Sequence, residues 1–284
     1  MNISGELESI RSMYGPWSAH NIKLSKDIYT ISPDHQSRAL KRAELYAGLK
    51  RTLSKRSLNG CKVLDLGCLE GGISIHLAQE GANCTGIDVR SNHLIKARFA
   101  AKCLGLQRKC TWLEANVTTE NLWEQLQKFD LIICSGLLYH LDAIDIVPLL
   151  RNMREACKKD ALVIIDSNIA PHPIKNFTKK DEPTLWGCEW SEHDPNTSAS
   201  ERMASGWSSM HNNKAFWLTE RSLVNALVTA GFGTVIKPLF PYHEWGHQTR
   251  DVWVAYPCEP DPCNISLRQD PDPRPWAHPS LNNT

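Results

Sequence analysis

The chain has 284 residues, 42% hydrophobic and 22% charged, which suits one large domain or two small ones with a sizeable core. Its 32 Lys and Arg residues against 31 Asp and Glu leave a net charge of +1, which excludes a chain-wide basic field for gripping nucleic acid. No apolar run approaches the ~18–20 residues of a membrane helix, and the opening MNISGELESIRSMYG has neither the basic start nor the apolar stretch of a secretion signal.

Residues 1–59 precede the first strand-like run and read as an N-terminal extension. Within them, Arg38–Arg56 holds seven basic residues and a single acid, Glu44. Around a helical wheel these charges cover most of the circumference, the pattern of a solvated helix. Tyr46 is the only aromatic in the run, so a base-stacking platform for single-stranded nucleic acid is not expected.

Strands and helices then alternate. Lys62–Leu66 (KVLDL) predicts a first strand, and Ile73–Glu80 a helix stopped by Gly81. Asn83–Ile87 predicts a second strand and Asn92–Leu104 a helix closed by Gly105. Lys109–Leu113 and Leu131–Cys134 predict the third and fourth strands. Asp145–Cys157 reads as a helix with Pro148 near its first turn, and Ala161–Ile165 as the fifth strand. Thr219–Ala230 reads as a helix with Thr219 as N-cap, followed by strands Thr234–Leu239 and Asp251–Ala255. Near-continuous apolar strands alternating with helices predict an α/β fold with a parallel sheet covered on both faces.

Residues 167–217 interrupt the alternation and carry Trp186, Trp190, Trp207 and Trp217 beside His172, His193 and His211. An insertion of this length reads as a lid or binding element, or as a satellite core built on the tryptophans; the two are compatible. Residues 257–284 hold seven of the 16 prolines with sparse apolar residues, and read as a disordered tail.

Ten cysteines are too few for a disulfide scaffold of this length. Cys84, Cys110 and Cys134 lie in strand-like runs and read as small buried hydrophobes with reduced thiols, so a cytoplasmic location is expected. Cys258 and Cys263 lack two further ligands for zinc. His243–His247 matches HExxH, but it follows Pro238 and Pro241 and contains Gly246. A helix carrying both histidines on one face is not expected there, and no metal site is assigned.

The strongest signal is VLDLGCLEGG, Val63 to Gly72, followed by GIDVR, Gly86 to Arg90. Gly67 lets the chain turn sharply after the first strand, and Gly71 and Gly72 let backbone approach a ligand. Asp88, 23 residues after Asp65, stands at the tip of the second strand, where a carboxylate can accept from both hydroxyls of a ribose. Leu69 occupies the second glycine position of GxGxxG, which disfavours a dinucleotide and a nicotinamide dehydrogenase, and GKS/T is absent.

LDLGCLEGG, GID, FDLIICSGLLYHL (Phe129–Leu141) and LVIID together resemble the class I S-adenosylmethionine-dependent methyltransferases over roughly residues 60–255. YGPWSAHNIKL, GLLYHL and FWLTERSLVNALVTAGF resemble the tRNA wobble-uridine carboxymethyl transferase branch and its small-molecule relatives. The resemblance implies a Rossmann-like, seven-stranded, mostly parallel sheet whose last strand is antiparallel. Residues 60–256 would form the methyltransferase domain, with residues 167–217 as a lid-like insertion after its fifth strand. S-adenosyl-L-methionine would be the cofactor. Asp65, Gly67 and Gly71 would border its methionine moiety, Asp88 its ribose, and Asn116 and Val117 its adenine. Ser135, Gly136 and Leu137 would line the methyl-donor side.

Methyl transfer to a hydroxyl asks for alignment, exclusion of water and a base. His140 is the candidate base, Tyr139 a candidate for positioning the acceptor, and His20 a second histidine able to close over it. The expected acceptor is a small molecule bearing oxygen or nitrogen, with tRNA disfavoured and no membrane partner. A non-catalytic cofactor-binding role is the alternative from another class.

Overall fold

The computed structural model describes residues 2–239 and 250–258. Two helices come first, α1 (Ile3–Tyr14) and α2 (Arg38–Ser54). The alternation follows: β1 (Lys62–Leu66), α3 (Gly72–Gln79), β2 (Asn83–Asp88), α4 (Ser91–Cys103), β3 (Cys110–Glu114), α5 (Glu120–Glu124) and β4 (Phe129–Ser135). A single 3-10 turn, Leu138–His140, leads to α6 (Ala143–Ala156) and β5 (Cys157–Asn168). The insertion contributes β6 (Lys175–Phe177), β7 (Leu185–Ser191), α7 (Ala199–Ala204) and β8 (Lys214–Leu218). The chain then forms α8 (Glu220–Thr229), β9 (Thr234–Ile236) and β10 (Arg250–Tyr256).

Seven strands make one sheet in the order β3-β2-β1-β4-β5-β10-β9. β1 to β5 pair in parallel, and β10 runs antiparallel to β5 and β9. This is the Rossmann-like α/β architecture expected above. Alternate residues divide between two cores. Val63, Leu131, Ile133 and Ile164 pack with α1 to α4, and Leu64, Leu66, Ile132 and Ile165 with α6 and α8. The strand order reverses between β1 and β4, and the crevice beyond their C-terminal ends is where such sheets bind ligands.

Four elements depart from the sequence reading. Helix α2 is not a solvated helix: Ala39, Ala43, Tyr46, Ala47 and Lys50 are buried on one face, with Tyr46 fully so. Short alanines between the long basic residues hid that face from the charge pattern. Strand β5 runs beyond the apolar core of ALVII to Asn168, which brings Asp166 into the sheet. The insertion forms a second, antiparallel sheet in the order β6-β7-β8, and its residues 206–212, between α7 and β8, line a cavity shared with the strand ends of the main sheet. Phe216 N–H donates to Leu141 O at 2.8 Å, which joins this sheet to the loop after β4. Helix α6 also starts earlier than expected, so Pro148 lies beyond its first turn. The HExxH segment and the tail from residue 259 lie outside the described residues.

Cys84, Cys110 and Cys134 are buried free thiols. Burial pushes the Cys110 and Cys134 thiols up to about 12. No helix among the described residues is long and apolar enough to cross a membrane.

Glu70, fully buried, fixes the N-terminal segment to the glycine loop. Its carboxylate accepts from the backbone N–H of Ser18 at 2.8 Å, Ala19 at 3.1 Å and His20 at 3.0 Å, with Lys96 Nζ at 3.5 Å. Glu70→Gln keeps the shape but points amide hydrogens at those donors and leaves Lys96 without its charge partner. A loss of about 2–3 kcal/mol is expected in urea unfolding, and an unchanged midpoint would show that water replaces these bonds.

Candidate active site

A cavity of about 590 Å³ opens at the C-terminal edge of the sheet. Strand ends supply its floor, the N-terminal segment one wall, and residues 206–212 of the insertion its roof. Among the predicted site residues, Asp65, Gly67, Asp88, Asn116, Val117, Ser135, Gly136, Leu137, Tyr139, His140 and His20 all line it. Gly71 does not. Its φ is +75°, and a Cβ there would lie 2.4 Å from Trp112 and 2.8 Å from Ala97. Packing of the indole under the loop, rather than approach of a ligand, requires that glycine.

On the β1–β2 side the geometry centres on Asp88, only 5% exposed. Oδ2 accepts from Leu69 N–H at 2.9 Å; Oδ1 accepts from Arg90 N–H at 2.9 Å and lies 3.1 Å from His93 Nδ1. Leu69 adopts φ +47°, a left-handed conformation that costs a residue with a Cβ about 1–2 kcal/mol. The bond to Asp88 holds it there. A carboxylate offers about four lone-pair sites. With the Leu69 and Arg90 N–H groups bound, Asp88 keeps lone-pair capacity for further donors, whether His93 or a ligand hydroxyl. Asn116 Oδ1 accepts from Thr118 N–H and Oγ1, both at 3.0 Å, so it builds the turn after β3 while facing the cavity.

Beside β4 and β5 lies a group the sequence reading missed. Asp166, 2% exposed, accepts from Tyr46 Oη at 2.7 Å, Ser135 Oγ at 3.1 Å and Arg250 Nη2 at 3.0 Å, and pairs with Arg42 Nε at 2.9 Å. Burial raises its carboxyl, but the Arg250 and Arg42 guanidiniums outweigh this and hold it below the usual carboxylate range. Arg250 also reaches Tyr139 Oη at 3.4 Å and lies 5.6 Å from the centre of its ring. A Cβ on Gly136, φ +74°, would stand 2.8 Å from Arg250 Nη2, so glycine there lets the guanidinium approach. Arg250 opens the last strand and Tyr46 sits mid-helix, positions that carry no sequence signature of a site.

The two candidate histidines differ sharply. His140 Nδ1 is 2.9 Å from both oxygens of Glu192, whose side chain is 2% exposed. Glu192 Oε2 accepts in addition from Ser209 N–H at 2.9 Å. With Nδ1 carrying the proton toward the carboxylate, Nε2 is the basic atom of a ring that lines the cavity. His20 is held the other way: its Nδ1 accepts from Gly72 N–H at 2.8 Å, which places its proton on Nε2. Burial lowers its pKa to about 4, so near neutral pH it presents a fixed N–H donor rather than a base. Among the described residues, no group of three His, Cys, Asp or Glu could hold a metal ion.

Asp65, beneath the loop, accepts from Ser74 Oγ at 2.7 Å, and burial pushes its carboxyl up to about 7. Against an unfolded value of 3.8, the native state binds more protons between about pH 4 and 7, so this group's contribution to stability falls as pH rises through that window. His20 acts oppositely: with 6.5 unfolded and about 4 folded, its contribution rises with pH between those values. Asp65→Asn should raise the melting temperature more at pH 8 than at pH 4. An equal shift at both would show that Asp65 does not titrate against folding.

The family model that matches, described as a methyltransferase domain, covers residues 57–210. A protein of Geobacillus sp. (strain WCH70) with a provisional methyltransferase name is 29% identical over 150 residues, 49% of this chain and 59% of that one. The ubiquinone biosynthesis O-methyltransferase of Actinobacillus pleuropneumoniae serotype 7 (strain AP76) is 33% identical over 112 residues, 39% of this chain and 47% of that one. The chain thus spans about half the length of the curated relatives it matches. Among solved structures, the N-terminal domain of EvdMO1, crystallised in the presence of SAH and D-fucose, shares the fold. Its TM-score is 0.67 at 22% identity, covering 90% of this chain and 97% of that one. With the family model spanning more than half of its length and the sheet order to match, the chain belongs to the methyltransferase domain family of the class I superfamily.

Proposed function

We propose that the protein is an S-adenosylmethionine-dependent O-methyltransferase acting on a small molecule. The observation that carries this reading is the His140–Glu192 pair at the cavity wall. A hydroxyl holds its proton near neutral pH, so its methylation calls for a base, whereas an unprotonated amine needs none. Glu192 fixes the tautomer and orientation of the imidazole and stabilises the imidazolium that forms when Nε2 takes the proton.

The residues fit the cofactor. Gly67, with φ +66° and a Cβ position 3.2 Å from Leu137, keeps the floor low beside Asp65. Asp88 has lone-pair capacity left for a ribose hydroxyl, Asn116 and Val117 border the adenine end, and the His20 Nε2–H suits the carboxylate end. Bound there, S-adenosylmethionine supplies a methyl group already activated by its sulfonium. Tyr139, braced by Arg250, positions the acceptor beside His140, and the roof of residues 206–212 excludes water.

The similar proteins lean the same way: one is a ubiquinone biosynthesis O-methyltransferase, and the EvdMO1 domain was crystallised in the presence of SAH and a hydroxylated sugar, D-fucose. A tRNA substrate draws less support. Much of the basic run Arg38–Arg56 is engaged within the chain, through Arg42 with Asp166, Lys50 Nζ with Asp130 O at 2.9 Å, Arg51 with Glu80, and Arg56 with Asp160 at 3.1 Å.

Calorimetry with S-adenosylhomocysteine should show saturable binding, weakened in Asp88→Ala by about 1.5–3 kcal/mol, roughly 10- to 150-fold. No binding to the unaltered protein would remove the cofactor assignment. His140→Gln should lower the rate of tritiated methyl transfer into a panel of small hydroxylated acceptors by about 10²–10⁴ while leaving S-adenosylhomocysteine affinity within about threefold. Full activity in that variant would remove the base.

A further inference from the structure

Arg90 takes no part in the chemistry proposed above, yet it is 4% exposed and stands two residues beyond Asp88. It is the N-cap residue of α4, with its own N–H on Asp88 Oδ1. Its guanidinium crosses to the roof. Nε donates to Met203 O at 3.3 Å, and Nη2 meets the carbonyls of Arg202, Ser205 and Ser208, each at 2.9 Å. Two of these acceptors belong to the last turn of α7, whose C-terminal carbonyls lack helical partners and favour a cation. One buried cation thus gathers four carbonyls of a segment that has little packing of its own: Trp207 is 59% exposed and α7 has no buried residue.

The Ser208–Ser209 peptide group links this anchor to the candidate base. Its carbonyl accepts from Arg90, and its N–H donates to Glu192 Oε2 at 2.9 Å. Glu192 in turn orients His140. The path from Asp88 through Arg90, one peptide plane and Glu192 to His140 is continuous and made of hydrogen bonds between buried or half-buried groups.

We infer that Arg90 is a positioning residue. It ties the acid at the ribose end of the cavity to the roof and, through the Ser208–Ser209 peptide, sets the orientation of the His140–Glu192 pair. The inference rests on the functional reading above for its purpose, but its geometry stands without a cofactor. Because Asp88 holds both the backbone of Arg90 and a ligand-facing lone pair, a ligand engaging Asp88 steadies the anchor of the roof. S-adenosylhomocysteine then protects the roof from exchange only when the guanidinium is present.

The test compares the unaltered protein with Arg90→Met and Arg90→Lys, without ligand and with S-adenosylhomocysteine. In Arg90→Met, hydrogen exchange of amides 199–209 should rise at least tenfold while amides of β1, β4 and β5 keep their rates. The nitrogen-15 spectrum of the His140 ring should shift from the Nδ1–H tautomer toward a mixture, a signature that simple loosening of a surface loop would not move. Arg90→Lys, which keeps the charge and can reach some of the carbonyls, should restore part of both. Adding S-adenosylhomocysteine should lower roof exchange in the unaltered protein and not in Arg90→Met.

Unchanged roof exchange and an unchanged His140 tautomer in a folded Arg90→Met protein would overturn the proposal. So would equal ligand protection in the two proteins. If S-adenosylhomocysteine fails to bind the unaltered protein, the cofactor reading fails, whereas the exchange and tautomer comparison without ligand still decides the role of Arg90.

Discussion

Everything at the site hangs on one buried carboxylate. Asp88 ends β2, next to β1, and its oxygens hold the glycine loop through Leu69 on one side and the start of α4 through Arg90 and His93 on the other. Buried N–H groups such as these need an acceptor. The acid is a structural keystone before it is a ligand for anything. Its substitution disturbs the floor of the cavity as well as any hydroxyl it binds.

The rest of the cavity is assembled from distant segments by similar charge-assisted bonds. Glu70 draws in residues 18–20, Asp166 gathers Tyr46, Ser135, Arg42 and Arg250, and Glu192 joins the insertion to the loop after β4. Each acid lies in or beside the main sheet or its inserted partner, and each is almost fully withdrawn from solvent. Burying a carboxylate is unfavourable unless it is surrounded by donors. These three are, so the walls of the site are pinned where apolar packing alone would leave them free to slide.

The parallel sheet was legible because its strands are apolar on both faces and its helices are punctuated by Gly81, Gly105 and Gly231. Much of the cavity lining is legible for a related reason. Gly67, Asp88 and Ser135–Leu137 fall at strand ends, on the edge where open α/β sheets bind ligands. What stayed hidden depends on contacts between residues far apart in the chain. Nothing around Tyr46 or Arg42 announces that α2 turns an alanine face to the sheet, and Glu192 lies 52 positions from the histidine it orients. The packing need at Gly71 is not legible because Trp112, which fills the space of the missing Cβ, comes from another strand. The insertion reads from sequence as a lid or a small core, and its β6-β7-β8 sheet is not legible there because antiparallel strands of a few residues leave too short a pattern to count.

The cysteines carry a consequence for how the molecule can be followed in solution. Six of the nine described thiols are buried within the two cores, where desolvation disfavours the thiolate, the form that reacts. Among the described thiols, alkylating reagents should therefore find Cys258 at the surface first and reach Cys84, Cys110 and Cys134 only when the sheet parts from its helices. The sequence thus comes with its own clock for opening, a set of silent nucleophiles whose rate of capture counts how often the central layer breathes.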